Sequence, residues 1–329
     1  MSKSLHRFVI IGPGYISRRY TEKIAAMDNA SVVAVVGRNQ EKTELYAQRH
    51  GIPSYGTDLG SVVRDSQPEA AIICTPNALH HDCVIAAATL GLHCLCEKPL
   101  ETSRQRQNAM IAICRQNNVK LAVAYMHRFH KHLRYIQAMA ESGVLGKILV
   151  VDAMLKIFRE PEYYQQSSWH GKQAIDGGGP FIQQGSHLLD LVLWLAGEYA
   201  EVLQAKRFNV FHDIEVEDHG YAVVQFKSGA IGMIETSTAC QGMTKHSIEI
   251  AATKGHIIAD LEKIISFKVE GQTLPEFGPD DDLFRQLLAD FIESIESDRE
   301  PFVTGESAQG ATELILDIYE KAGPPKRML

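Results

Sequence analysis

Two residues far apart in the chain carry most of the chemistry that this sequence can do. Lys98 stands in the run CEKPL at residues 96–100, and His187 closes GGGPFIQQGSH at residues 177–187. Upstream of both, the run GPGYIS at residues 12–17 follows the apolar stretch 8–11. Gly12 permits a tight turn there, and Gly14 lets the backbone amides around Tyr15 and Ile16 approach a pyrophosphate at a helix N-terminus. The third glycine of such loops is replaced by Ser17, small enough for close helix–sheet packing. Taken singly, Lys98 reads as a surface lysine and His187 as a satisfied core histidine. A dinucleotide loop, a cation whose pKa responds to its surroundings and an imidazole together point to hydride transfer at a carbinol carbon.

These groups must be placed by a scaffold, and the hydrophobic pattern supplies one. Between residues 7 and 123, short apolar runs alternate with amphipathic stretches, the signature of βαβ units on a parallel sheet. Strands are expected at 8–11, 31–36, 70–74, 93–96 and 120–124, and helices at 16–27, 40–50, 80–90 and 103–117. Gly51, Gly91 and Asn117-Asn118 sit at helix stops. The glycine loop, Thr75-Pro76-Asn77 and Lys98 then lie at carboxyl ends of strands in one sheet, where doubly wound folds bind ligands.

After about residue 125 the rhythm changes. A helix at 133–142, a strand at 148–158, a loop at 159–180 and an apolar helix at 181–196 precede strand-like runs at 222–226, 231–236, 247–252, 256–260 and 264–269. Turns at Ser228-Gly229 and Lys254-Gly255 favour hairpins, hence an antiparallel or mixed open sheet. Asp280-Asp281-Asp282 precedes a helix at 283–294 and suits its positive end. A last helix spans 307–322. The expected architecture is α/β. An N-terminal Rossmann domain at 1–124 carries a parallel sheet. An α/β domain at 125–329 carries an open, mostly antiparallel sheet for substrate binding and oligomerisation, with a cleft between the two.

Composition narrows the partners. At 329 residues the chain suits two cores, with 45% hydrophobic and 22% charged residues. A formal charge of −7 and no basic run exclude a nucleic-acid partner. No stretch approaches the roughly 20 apolar residues of a membrane span, and the N-terminus at 1–7 is short and polar, so a soluble cytoplasmic protein is expected. The six cysteines, without metal spacing, read as buried thiols of a reducing compartment. His127, His130 and His132 lack a carboxylate or thiol partner in sequence and read as a solvated helix start, so no metal is expected.

Strand two should end in the acidic residue that takes a ribose 2′-hydroxyl, but Gly37-Arg38-Asn39 stands there. Arg38 could pair with the 2′-phosphate of NADP, stack beside the adenine of NAD, or be an exposed turn residue. Thr75-Pro76-Asn77 could cap the next helix, contact the nicotinamide ribose, or both.

At this point a resemblance becomes specific. The residues Gly12 and Gly14, Thr75-Pro76-Asn77 with His80, Glu97-Lys98-Pro99, and Gly177-Gly178-Gly179 with Gly185, His187 and Asp190 resemble the Gfo/Idh/MocA family. These are NAD(P)-dependent oxidoreductases of sugars and cyclitols. The likeness extends through Tyr125, Arg128-Phe129, Glu217-Asp218 and the closing helix. It implies that Lys98 and His187 flank the reacting carbinol, with the lysine pKa lowered from about 10.4 so that it exchanges protons near neutrality. His187 would take the hydroxyl proton. It also implies cofactor contacts at Gly12, Gly14, Tyr15, Ile16, Arg38, Thr75, Pro76, Asn77, His80, Glu97 and Lys98. Substrate contacts are expected at Arg128, Tyr163, Trp169, Lys172, Gln183 and His187.

One departure matters. Members such as inositol dehydrogenase carry an aspartate one helical turn before the histidine, where this chain has Gln183. Glutamine orients groups but carries no proton. An amide here also resembles members acting on nucleotide-linked amino sugars. Trp169 could stack on a sugar face and Lys172 meet a diphosphate, or both could serve loop packing and solvation. The reading is a dehydrogenase of a nucleotide-linked N-acetylhexosamine at C3, using NAD or NADP, as a homodimer or homotetramer. The alternatives are an inositol or free-sugar dehydrogenase, an NAD-using glycosidase and a nucleotide-sensing regulator without turnover.

Overall fold

Near-continuous apolar runs build the first sheet because both its faces are covered. A computed structural model describes residues 5–166 and 169–328. Residues 1–4 of the polar N-terminus, Ser167 and Ser168 of the predicted loop, and Leu329 lie outside the described residues. The chain divides into two compact units, residues 1–126 with 281–308 and residues 127–280 with 309–329.

In the first unit β1 (His6–Ile11), α1 (Tyr15–Ala25), β2 (Ala30–Val36), α2 (Gln40–His50), β3 (Ser54–Gly56), α3 (Leu59–Ser66), β4 (Ala70–Ile73), α4 (His80–Thr89), β5 (His93–Cys96), α5 (Arg104–Gln116) and β6 (Leu121–Val123) follow in turn. The sheet is parallel with order β3-β2-β1-β4-β5-β6. The order reverses between β1 and β4, the topological switch point at which such sheets bind dinucleotides. Capping fixes α2 at both ends. Asn39 accepts a bond from the Lys42 amide at 2.9 Å, and Gly51 turns left-handed at φ 65°.

The second unit holds α6 (Lys131–Glu141), β7 (Ile148–Lys156), α7 (Pro161–Gln165), α8 (Gln173–Asp176), α9 (Ser186–Ala196), β8 (Tyr199–Asn209), β9 (His219–Phe226), β10 (Ile231–Ser237), β11 (Lys245–Ala252), β12 (Gly255–Ala259) and β13 (Ile264–Val269). The chain then returns to the first unit with α10 (Leu283–Glu296). It closes with α11 (Gly305–Ala322), which runs into the second unit, and β14 (Lys326–Arg327).

The second sheet runs β13-β12-β11-β7-β10-β9-β8-β14, antiparallel except for the pairs β7–β10 and β8–β14. Its strands alternate, β9 burying every second residue, so one face packs on a core. That core joins Phe181, Leu189 and Val192 to Val224, Ile234 and Leu314.

The helix expected at 181–196 begins at Ser186. The amides of Ile182, Gln183 and Gly185 instead bond back to Gly179 and Pro180, and an added Cβ on Gly185 would strike the Pro180 carbonyl. In the first unit α10 packs on α1, with the Phe284 ring edge-on to Tyr20 at 5.2 Å. Asp282 caps α10 at the Arg285 amide, 3.0 Å. Asp280 does not join it and turns to His130 instead. Among the described residues no helix is long and apolar enough to cross a membrane.

Candidate active site

The glycine loop begins where β1 ends. Gly12 has φ +97°, and a Cβ on it would sit 2.9 Å from the Cys74 carbonyl, so both its conformation and the close pass of β4 require glycine. Gly14 differs. Its backbone is extended at φ −164° and a Cβ there would meet nothing within 4 Å. The protein's own packing does not explain this glycine, whereas close approach of a pyrophosphate does. Gly14 N-caps α1, which carries no acidic side chain in its first turn, and its amide donates to Ser17 Oγ at 2.7 Å. Ser17 is buried, as the close packing of α1 requires, while Tyr15 is exposed. These features fit a dinucleotide at the positive end of α1.

Arg38 is exposed just beyond β2, and Asn39 is committed to capping α2. On the other side of the switch point, residues 75–80 form a turn and a short 3₁₀ segment, Asn77–Leu79, with Asn77 buried. His80 ties this turn to the lysine loop, because its ring nitrogens lie 2.9 Å from the carbonyl oxygens of Thr75 and Pro99. Lys98 follows β5 and is half-buried, and the Lys98-Pro99 bond is cis.

Glu97 is buried, accepts the Tyr20 hydroxyl at 2.7 Å and accepts the Lys98 amide at 3.2 Å. Burial and this carboxylate push the Tyr20 phenol well above its ordinary range, so it stays a donor. Glu97 therefore fastens the lysine's backbone to α1. Glu101, which sequence reading passed over, is fully buried and accepts from the His81 and Thr102 amides and from Arg106 Nε. Its motif position, one residue past Pro99-Leu100, was the available signal.

In the second unit His187 lies in the first turn of α9. The glycines before it serve close packing. A Cβ on Gly178 would collide with the Tyr319 ring, and one on Gly179 with the Glu217 backbone. Glu217 is fully buried between the Tyr319 hydroxyl at 2.8 Å and Arg207 at 3.2 Å, and burial raises its pKa. Asp218 accepts three successive amides, Val210 to His212.

Gln183 donates its amide to the Asp176 carboxylate, which is buried and also accepts the Gly171 amide at 2.6 Å. Asp176 is thus a functional candidate that sequence reading missed. It returns a carboxylate to the neighbourhood of position 183 and leaves Gln183 Oε1 as the acceptor end of that side chain. Arg128, read as a substrate contact, is buried in a two-pronged pair with Asp190, its Nε at 2.9 Å, and its guanidinium lies over Trp194. It fastens the stretch after β6 to α9. Burial pushes the Asp190 carboxyl up, and the guanidinium opposes that.

The loop residues gather as a ladder. Arg159 lies over Tyr163, the His170 ring stacks on Tyr163 at 4.4 Å, and Trp169 packs against His170 at 4.1 Å. Gln184 donates to the Tyr163 hydroxyl at 3.4 Å. Lys172 is exposed, and its ammonium is 2.9 Å from Glu215.

The histidines after β6 depart from expectation. His130 and His132 are buried rather than solvated, because Asp280 and the Asp260 carbonyl, far along the chain, come back to bond them. The donor atoms of His130, His132 and Asp280 lie within 4.8 Å of one another, yet they are spent on hydrogen bonds. All six cysteines are free, and burial pushes the Cys74 and Cys96 thiols well above their ordinary range.

Residues 6–125 match the family described as the oxidoreductase family with NAD-binding Rossmann fold, and residues 133–258 match the GFO/IDH/MocA C-terminal domain. The chain is 25% identical over 323 residues to myo-inositol 2-dehydrogenase of Thermotoga maritima, covering 93% of this chain and 92% of that one. It is 25% identical to D-glucoside 3-dehydrogenase of Escherichia coli, over 73% of this chain and 72% of the other. Among solved structures, the WlbA dehydrogenase of Bordetella pertussis, in complex with NADH and UDP-GlcNAcA, superimposes with a TM-score of 0.88 at 28% identity, covering 97% of this chain and 96% of that one. With both halves of the chain matched and the dinucleotide loop and lysine–proline loop in place, the chain belongs to the Gfo/Idh/MocA family of NAD-dependent sugar oxidoreductases.

Proposed function

We propose that the protein oxidises a secondary hydroxyl of a nucleotide-linked amino sugar, of the kind of UDP-N-acetylglucosamine at C3. The observation that carries the substrate class is the near full-length likeness to a dehydrogenase seen with a UDP-linked sugar acid. Gln183 supports it. An amide held by Asp176 can hydrogen-bond a sugar substituent but cannot share the proton chemistry, which falls to Lys98 and His187.

A bound nicotinamide dinucleotide, NAD or NADP, supplies the hydride acceptor. Gly12, Gly14, Tyr15 and Ile16 would hold its pyrophosphate, Arg38 its adenosine end, and Thr75, Pro76 and Asn77 the nicotinamide side, with the buried His80 and Glu97 positioning that turn and the lysine loop. As the carbinol C–H bond breaks with its electron pair, His187 takes the hydroxyl proton and a ketone forms. Lys98 presents a proton at Nζ to the developing carbonyl oxygen. Trp169 offers a ring face to the sugar, Tyr163 supports it through the stacked His170 ring, Arg128 acts by holding α9, and Lys172 meets a diphosphate only by leaving Glu215.

That last requirement favours a second reading, an uncharged inositol or free sugar. The outward residues Ile231 and Met233 of β10, 38% and 59% exposed, support a homodimer or homotetramer through the open sheet face.

Purified protein is assayed for change in nicotinamide absorbance with NAD and NADP against UDP-sugars, free hexoses and inositols. Highest kcat/KM on a UDP-N-acetylhexosamine is expected. Preference for an inositol or free hexose would overturn the substrate class, and absence of any turnover would overturn the enzymatic reading.

A further inference from the structure

The three histidines after β6 have no part in the chemistry above, yet they lie in an ordered row. Asp280 Oδ2 is 2.6 Å from His130 Nδ1, and its Oδ1 accepts the Lys131 amide at 3.0 Å. An ionised carboxylate only accepts, so His130 Nδ1 donates. On the far side of that ring, His130 Nε2 is 3.2 Å from His127 Nδ1, the two rings lying within 4° of parallel. Two ring nitrogens facing each other share a single proton, which can rest on either. His127 in turn meets His187 edge to face, with centroids 4.6 Å apart at 74°. At the other end Asp280 borders a cavity lined also by Lys131, His132, Glu262, Lys263 and Phe277.

We propose that His127, His130 and Asp280 form a proton outlet that carries the substrate's hydroxyl proton from His187 to this cavity. The inference rests on the reading of His187 as the base. Each transfer is one proton and no electrons. His187 gives a proton to His127, the proton on His127 Nδ1 passes to His130 Nε2, and the proton on His130 Nδ1 leaves through Asp280 to water. Each ring takes one proton on one nitrogen and gives one from the other, which leaves both tautomers inverted, and a flip of the two rings resets the row before the next cycle. The last two transfers follow existing hydrogen bonds. The first crosses an edge-to-face contact and needs a ring swing or one bridging water.

Lys131 Nζ is held by the Pro279 carbonyl at 2.6 Å, and Arg128 is neutralised by Asp190 one turn after His187. His132, its ring 5.3 Å from His130, donates to the Asp260 carbonyl, and burial keeps it uncharged near neutrality. The Asp260 carboxylate stands near it, and Glu262 and Lys263 line the cavity.

The test is His130→Gln in the full chain, since an amide can bond both neighbours but cannot relay a proton. Thermal melting identifies a misfolded variant, in which case Asp280→Asn, at a partly exposed carboxylate, replaces it. With the best substrate of the screen, kcat is expected to fall on the order of 100-fold at low buffer, the lower end of what positioned proton transfer contributes. KM should be unchanged, and added imidazole should restore the rate. A kcat within about twofold of the wild type, or a loss that imidazole does not restore, overturns the outlet. Ring titrations of His187 by NMR, with no substrate or cofactor, form a second arm. The His187 midpoint should move in the variant, and an unchanged curve overturns the coupling. Because that arm needs no turnover, failure of the proposed activity and failure of the outlet are read separately.

Discussion

Replacing the two loop glycines one at a time by alanine separates what the fold needs from what the cofactor needs. Ala at 12 must adopt φ +97° with its methyl 2.9 Å from the Cys74 carbonyl carbon and oxygen. The backbone strain costs about 1–3 kcal/mol, and the forced contact with β4 a further ~1–3 kcal/mol. At roughly 2–4 °C per kcal/mol for a domain of 150–250 residues, the combined ~2–6 kcal/mol is expected to lower the melting temperature of the first unit by about 4–24 °C in Gly12→Ala. Ala at 14 keeps an extended backbone and points into open space, so its melting curve without cofactor should match the wild type to within about 2 °C. Its methyl does enter the space a pyrophosphate would use, so NAD affinity should fall at least about tenfold, or ~1.4 kcal/mol. Scanning calorimetry without cofactor and titration calorimetry with NAD measure the two quantities. Wild-type NAD affinity in Gly14→Ala would refute the placement of the dinucleotide, and an unchanged melt in Gly12→Ala would refute the packing argument.

Other perturbations address single groups. Lys98→Ala should keep cofactor affinity and lose turnover by several orders of magnitude, measured as single-turnover nicotinamide absorbance. Arg38→Ala should weaken NADP far more than NAD in titration calorimetry if the guanidinium reads a 2′-phosphate, and equally if it does not. Asp190→Asn leaves the buried Arg128 without its counter-charge and is expected to cost about 3–5 kcal/mol in denaturant unfolding. For Asp280, burial raises the carboxyl, but the bonds from His130 and the Lys131 amide outweigh it and hold the pKa below the ordinary range. A depressed folded value means stability present above the unfolded pKa of about 3.9 and lost as pH falls through the folded one. Asp280→Asn should therefore flatten melting temperature against pH below about 4.

The local code was easiest to read where neighbours in sequence settle the structure. The helix at 40–50 follows from Asn39 and Gly51 alone, and Gly12 declares its turn because only glycine fits there. The three-residue edge strand Ser54–Gly56 and the helix Leu59–Ser66 are too short to show a period, though Asp58 bonding the Ser61 amide marks the helix start. Strand Tyr199–Asn209 is hidden because its register shifts break the alternation of apolar residues. In the site, Lys98 and His187 stand in motifs and were visible. Asp176 and Asp280 were not, since each acquires its meaning from a partner brought by the tertiary fold, Gln183 seven residues on and His130 150 residues back.

The His80 clamp has a practical consequence for redesign. With one ring nitrogen against a carbonyl of the turn after β4 and the other against a carbonyl of the loop after β5, a single buried imidazole, wedged between them and donating to one, couples the two segments. Swapping in residues 75–79 from a relative to reshape the nicotinamide side would move the Thr75 carbonyl away from that ring wherever the turn's backbone differs, and would shift the lysine's loop with it. Exchange of such segments should therefore carry residues 75–80 and 97–101 together, as one cassette.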